Sequence, residues 1–260
     1  MLKKFFYNLI VPQVRCPICN QLTVQLVKTG ICQTCADSLV KPFAPFCDRC
    51  HKPFATDRYA ASVDQENPSL LVCADCVRSK SSGTTIHRYQ RSSWLYNQSA
   101  QNLIFLYKYG GKRSIATPLA RMLYLTYQEY YSDCQIDFIT AIPLHQGRLI
   151  ERSFNQSELI ATQLSKLTGI PYLTALIKVK ATEKLSKQVR ANRFIQTEHS
   201  FQVNPAESAR LANKRLLIID DIYTTGATAE HAGSTLINSV GVATVYVLTV
   251  ARAYDQEILS

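Results

Sequence analysis

The residues with the most chemistry to offer lie in one stretch: Leu216-Leu217-Ile218-Ile219-Asp220-Asp221-Ile222-Tyr223-Thr224-Thr225-Gly226-Ala227-Thr228. An apolar run ends in two carboxylates and passes into a hydroxyl-rich turn. The run Leu216 to Ile219 has the continuous apolar character of a strand covered on both faces, and Ala227 to Leu236 reads as the helix that follows. Thr224 to Thr228 is then a strand-to-helix loop. Its backbone N–H groups and the positive end of the helix suit a phosphate, and three Thr hydroxyls add donors. Carboxylates facing that phosphate would repel it, so Asp220 and Asp221 are better placed to hold sugar hydroxyls or a divalent cation beside it.

The second chemical signal is a set of thiols. Eight of the nine cysteines form four Cys-x-x-Cys pairs: Cys16 and Cys19, Cys32 and Cys35, Cys47 and Cys50, Cys73 and Cys76. A two-residue gap lets one tight turn present both sulfurs to the same ion, and two such turns complete a four-thiolate zinc site. Sequential grouping puts Cys16, Cys19, Cys32 and Cys35 on one Zn²⁺ and Cys47, Cys50, Cys73 and Cys76 on another. An interleaved arrangement, first pair with third, is the alternative, and short connecting loops favour the sequential one. Disulfides are the rival reading of these thiols. The apolar stretch Phe5 to Val11 is short and has no small-residue cleavage site before Cys16, so a reducing cytoplasm is the expected compartment.

These groups need elements to position them. Up to about residue 80 the chain is Cys-rich and Pro-interrupted, as expected where metal replaces a core. From there the chain alternates apolar strand patterns with helical ones. The expected division is a zinc-binding knuckle domain over 1–80 and a parallel α/β domain over 86–260, joined through Ser79 to Thr85. In the larger domain the patterning predicts an antiparallel strand or hairpin over Ile86–Leu95, helices over Gln98–Tyr109 and Ile115–Tyr131, and a strand over Ile136–Ile142. A helix over Phe154–Thr168 and a strand over Tyr172–Val179 come next. Last are a strand over Arg215–Asp220, a helix over Ala227–Ser239 and a strand over Ala243–Ala251. Such alternation implies right-handed crossovers, with ligands at the carboxyl ends of the strands. No apolar run is long enough for a membrane span.

The Asp-Asp and Thr-Gly loop resembles the motif with which type I phosphoribosyltransferases bind 5-phosphoribosyl-1-pyrophosphate (PRPP). Together with the cysteine pairs, Pro143-Leu144-His145, Arg148, Arg152, Phe154-Asn155-Gln156 and Tyr107-Lys108-Tyr109-Gly110, it resembles the ComF/GntX-type competence proteins. Ser153 stands where that family usually has Gly, and alignment after Thr182 is loose. The resemblance implies a type I phosphoribosyltransferase-like fold behind an N-terminal four-cysteine zinc domain. It implies that Asp220 and Asp221 carry any catalysis, that Tyr223, Thr224, Thr225, Gly226, Ala227 and Thr228 bind the 5-phosphate, and that Leu144, His145, Gln146, Gly147, Arg148 and Arg152 form the pyrophosphate loop. Mg²⁺ would accompany PRPP. The implied role is handling incoming single-stranded DNA in natural transformation, with a DNA-uptake helicase or other competence proteins as partners. A phosphoribosyltransferase acting on an unknown base or nucleic-acid acceptor, a non-enzymatic DNA-binding scaffold and a PRPP-sensing regulator are the other readings.

The formal net charge is +10. Six basic residues, Lys178, Lys180, Lys184, Lys187, Arg190 and Arg193, stand against Glu183 alone, so half of the excess lies in that segment. Residues 1–80 carry a smaller excess, which two four-thiolate zinc centres at −2 each would cancel. The sheet domain is therefore the expected polyanion surface, with Lys184, Lys187 and Arg190 first and Lys108, Lys112 and Arg113 as runners-up. The same basic segment is also suited to neutralising pyrophosphate as a lid.

Overall fold

The structure, a computed structural model, describes residues 13–54, 62–63, 69–81, 89–179 and 200–254. Its N-terminal part has little regular structure of its own, as expected where cysteines replace apolar periodicity. Strands β1 (Val14–Arg15) and β2 (Leu22–Thr23) pair antiparallel beside helix α1 (Gln33–Asp37). Strands β3 (Ser62–Val63) and β4 (Leu71–Val72) pair in the same way ahead of helix α2 (Ala74–Ser81). The expected linker therefore begins inside α2, and Ser82 to Thr85 lie outside the described residues.

The remainder runs β5 (Gln90–Leu95), α3 (Gln98–Tyr109), α4 (Ala116–Tyr130), β6 (Phe138–Ala141), α5 (Gln146–Arg152), α6 (Gln156–Thr168), β7 (Leu176–Lys178), β8 (Phe201–Val203), β9 (Arg215–Tyr223), α7 (Ala227–Val240) and β10 (Thr244–Arg252). Four strands form a parallel sheet in the order β5-β10-β9-β6. The α/β fold with an N-terminal region of two four-cysteine groups is as expected. Leu216, Leu217, Ile218 and Ile219 are all 0% exposed, because β9 is a central strand with side chains from both faces packed over it.

Three expectations need correction. The segment read as an antiparallel strand or hairpin is β5, and it pairs parallel with β10; its short pattern of alternation carries no information on the direction of a partner more than 150 residues away. The strand expected over Tyr172–Val179 shrinks to β7, which pairs antiparallel with β8, while Tyr172 makes only an isolated bridge to Ile139. Pro171 at its start lacks a ladder donor. Finally, α5 occupies part of what read as a loop. Its side chains leave no buried stripe, so no periodicity announced it. Local bonds fix its ends instead: His145 Nδ1 accepts from the Gly147 N–H at 3.2 Å, and Ser153 ends it at φ 63°.

Each half of the cysteine region joins a different face of the sheet. Cys16, Ile31, Cys32 and Leu39 are continuous with the core beneath α3, α4 and α6; Cys47, Cys50, Phe54, Val72 and Cys73 are continuous with the core beneath α7. Between them they cover the outer edge of β5. Gln90 N–H donates to the Arg49 carbonyl and Leu95 N–H to the Val40 carbonyl, both at 2.7 Å. The Ser92 N–H donates to His51 Nδ1 at 3.1 Å. An edge that would otherwise expose unpaired donors is closed by the chain's own N-terminal part.

Candidate functional site

The two cysteine groups assemble sequentially: Cys16, Cys19, Cys32 and Cys35 in one, Cys47, Cys50, Cys73 and Cys76 in the other, with the sulfurs of each group within 4.8 Å of one another. Tetrahedral Zn–S bonds of about 2.3 Å place sulfurs about 3.8 Å apart. The observed separations match this: 3.9 Å for Cys16–Cys35, 3.7 Å for Cys19–Cys32 and Cys47–Cys76, and 3.6 Å for Cys50–Cys73. These are far too long for disulfides. Backbone N–H groups of Cys32 and Cys73 point at the sulfurs of Cys16 and Cys47, at 3.4 and 3.3 Å, as thiolate ligands require. His51, next to Cys50, lies outside the group, and its Nδ1 accepts from the Ser92 N–H. Burial and then the Arg91 guanidinium hold it down at about 3, so it is neutral.

The other site lies at the carboxyl ends of β6 and β9. Strand β9 continues beyond Asp220 to Tyr223, so both carboxylates belong to the strand and the loop starts at Thr224. Asp221 forms an ion pair with Lys108 of α3 at 2.5 Å; the two side chains are only 14% and 16% exposed. Asp220 Oδ1 accepts from the Ser157 hydroxyl at 3.0 Å and from the Asp221 N–H at 2.8 Å. Desolvation and then the adjacent Asp221 push Asp220 up to about 7. Lys178, at the end of β7, is held below its usual range by burial and then by Arg148, with Asp220 acting in the opposite sense. Both ends of the described chain that flank residues 180–199 therefore lie beside this site, because β7 and β8 are hydrogen-bonded partners.

Gly226 makes the turn into α7. Its φ is 90°, and a Cβ there would run into the Tyr223 ring, so only glycine is accommodated. Thr224 and Thr225 are exposed, Thr228 is half-buried, and Tyr223 and Ala227 are buried, Ala227 at the first helical position. The Thr225 hydroxyl accepts from the Ala227 N–H at 3.4 Å. The first turn of α7 presents N–H groups that have no partner within the helix.

Of the expected pyrophosphate residues, Leu144 and His145 follow β6, while Gln146, Gly147 and Arg148 form the first turn of α5. Arg152 is turned elsewhere. Its guanidinium lies over the Tyr109 ring at 5.1 Å and donates to the Tyr109 hydroxyl at 3.0 Å and to Gln156 Oε1 at 3.3 Å. Asn155 ties α6 to the end of β6, donating to the Ile142 carbonyl at 3.1 Å while capping the helix. Lys112 and Arg113 are exposed; Arg113 lies over Phe154 at 5.0 Å and donates to the Ser153 carbonyl. Lys108 belongs to the carboxylate site rather than to open surface. Lys184, Lys187 and Arg190 lie outside the described residues. Sequence reasoning missed Ser157 entirely; it placed Lys108 in a family-like Lys-Tyr-x-Gly segment and on the basic surface, without its pairing to Asp221.

Among the described residues no helix is long and apolar enough to cross a membrane. Residues 6–77 match the model of the double zinc ribbon domain family. The chain is 28% identical to competence protein ComFC of Bacillus subtilis, over 86% of this chain and 84% of that one. It is 26% identical to competence protein F of Haemophilus influenzae, covering 92% and 97%. It is also 26% identical to DNA utilization protein YhgH of Shigella flexneri, covering 87% and 99%. Among solved structures, glutamine PRPP amidotransferase from B. subtilis aligns with a TM-score of 0.38 at 18% identity, over 56% of this chain and 30% of that one.

Proposed function

We propose that this ComF/GntX-type protein binds PRPP at the carboxyl ends of β6 and β9 and handles single-stranded DNA during DNA uptake. The observation that carries the reading is the placement of Asp220 and Asp221 immediately before the Thr224–Thr228 loop, with Lys108, Lys178 and Ser157 gathered around the carboxylates. Asp220 and Asp221 would accept from the ribose hydroxyls, the loop would hold the 5-phosphate, and Leu144 to Arg148 would face the pyrophosphate. Mg²⁺, when bound, would neutralise charge between pyrophosphate and the ribose hydroxyls. In a transfer reaction the C1–O bond to pyrophosphate breaks as an acceptor bonds to C1 and gives up its proton; the site's part is to position and to balance charge. Calorimetric titration of PRPP with Mg²⁺ tests binding, and pyrophosphate release with and without DNA tests turnover. Binding without release favours the scaffold or sensor reading. Absence of binding removes the PRPP reading.

The state of Asp220 gives this site a pH signature. Its folded value near 7 lies above the ordinary 3.8, so the unliganded fold loses stability as pH rises through that window. Ligand affinity moves the other way, because ribose hydroxyls and Mg²⁺ favour the ionised form. PRPP affinity is expected to rise roughly tenfold from pH 6 to pH 8. In Asp220→Asn the curve should flatten to what the ligand's own phosphates contribute. An unchanged curve would mean that Asp220 does not titrate on binding.

The surface beside the site suits a single strand. Phe105 is 66% exposed and Tyr109 49%, their rings are 5.0 Å apart, and the Arg152 guanidinium stacks on Tyr109. Aromatic faces next to guanidinium groups are the usual platform for unpaired bases. Replacing Phe105 and Tyr109 together by Ala should cost about 1–3 kcal/mol per lost stack in single-stranded DNA affinity and leave PRPP binding intact. Reversing Lys184, Lys187 and Arg190 to Glu should flatten the salt dependence by about two to three units, at about 0.7 per phosphate contact. If neither change alters DNA binding in fluorescence anisotropy, the strand runs elsewhere.

A further inference from the structure

Arg252, the last residue of β10, is 4% exposed. Its Nε donates to the Cys50 carbonyl at 2.9 Å and its Nη2 to Cys50 Sγ at 3.4 Å. Its Nη1 donates to the carbonyls of Thr224 at 2.5 Å, Ala253 at 2.9 Å and Tyr223 at 3.2 Å. The guanidinium lies over the Tyr223 ring, 4.9 Å from its centre. One planar cation thus joins a ligand of the second four-cysteine centre to the backbone that opens the Thr224–Thr228 loop.

Two physical facts give this joint a function. A trans peptide holds its C=O and N–H in opposite directions. Fixing the Tyr223 and Thr224 carbonyls on Arg252 therefore turns the N–H groups of Thr224 and Thr225 away from Arg252, into the exposed side of the loop. The guanidinium is also rigid, with its donors in one fixed plane, so Cys50 and the loop carbonyls cannot shift independently. A zinc centre with four thiolates carries a charge of −2 and supplies the counter-charge that a buried arginine needs. A bound metal would fix Cys50 Sγ at the distance that the fork spans.

We propose that Arg252 is a positioning residue that couples metal occupancy of the Cys47, Cys50, Cys73 and Cys76 centre to the anion affinity of the Thr224–Thr228 loop. It rests on the reading of that loop as a phosphate site. Coupling of this kind is reciprocal: an anion in the loop must tighten the hold on the metal.

The test uses the full chain loaded with zinc and then with Co²⁺, whose thiolate absorption reports on the metal's surroundings. Saturating PRPP with Mg²⁺ should slow release of one of the two zinc ions to a chromogenic chelator at least fivefold and should shift the cobalt–thiolate absorption. Arg252→Lys, which keeps the charge and loses the fork, should keep both metals, bind PRPP at least fivefold more weakly and show neither response. Should that variant fail to fold, the wild-type measurements decide alone. If PRPP binds the wild type and neither metal release nor the cobalt spectrum responds, the coupling is refuted while the phosphate site stands. Inorganic pyrophosphate is the second probe, and failure of both anions to bind sinks the loop reading and the coupling together.

Discussion

Chelating the metals is expected to unfold the N-terminal part of the chain and to loosen the first strand of the sheet with it. Purified protein should carry about two zinc ions by elemental analysis. Structural zinc of this ligand set contributes on the order of 10–16 kcal/mol per ion to the folded state of small domains, more than their cores supply. Here the loss reaches further, because the cysteine region closes the outer edge of β5 through Arg49, His51 and Val40. Trp94, the single tryptophan, lies on β5 and packs against the core that contains Cys16 and Cys32. Its emission should shift to the red as zinc leaves, while far-ultraviolet circular dichroism keeps most of the helix signal from α3, α4, α6 and α7. A protein without zinc, or Trp94 emission that ignores chelation, would contradict this arrangement.

Asp221→Asn should do two things that a second substitution separates. It weakens PRPP binding by tenfold or more, since a hydrogen bond to a charged group is worth about 1.5–3 kcal/mol. It also leaves the Lys108 ammonium, 16% exposed, without its partner, at a cost of about 2–3 kcal/mol in folding stability. Adding Lys108→Met should restore most of that stability and none of the affinity. Urea unfolding and calorimetry on the two single variants and the double variant form the cycle. Additive stability losses would mean that the pair contributes nothing as a pair, and wild-type affinity in Asp221→Asn would remove Asp221 from the binding site.

The features legible in the sequence are those encoded by neighbours along the chain. Four Cys-x-x-Cys turns announced two metal centres, and short loops favoured the grouping that the sulfurs adopt. The apolar run of β9 and the 3.6-residue periodicity of α3, α4 and α6 placed those elements to within a few residues. Pairings across long stretches of chain left no local mark. That β5 lies parallel to β10, that Ser157 reaches Asp220 and that Lys108 neutralises Asp221 are all consequences of packing. So is the burial of Arg252 at the end of β10, where it meets Cys50 and Thr224. Short α5, held by a cap rather than by a buried stripe, was invisible for a different reason.

The strand order β5-β10-β9-β6 has a consequence for how the chain is made. Among the described strands, β10 is made after the others and fills the slot between β5 and β9. Until it arrives, β9 has only β6 beside it and β5 has no strand beside it at all. The cysteine region can close on its metals early, but the strand it shields joins the sheet only once β10 has been made. Loss of β10 alone therefore separates the molecule into a metal-bound head and an incomplete sheet. A chain ending before Thr244 should accumulate as aggregate or be degraded, not persist as a weakened version of the protein.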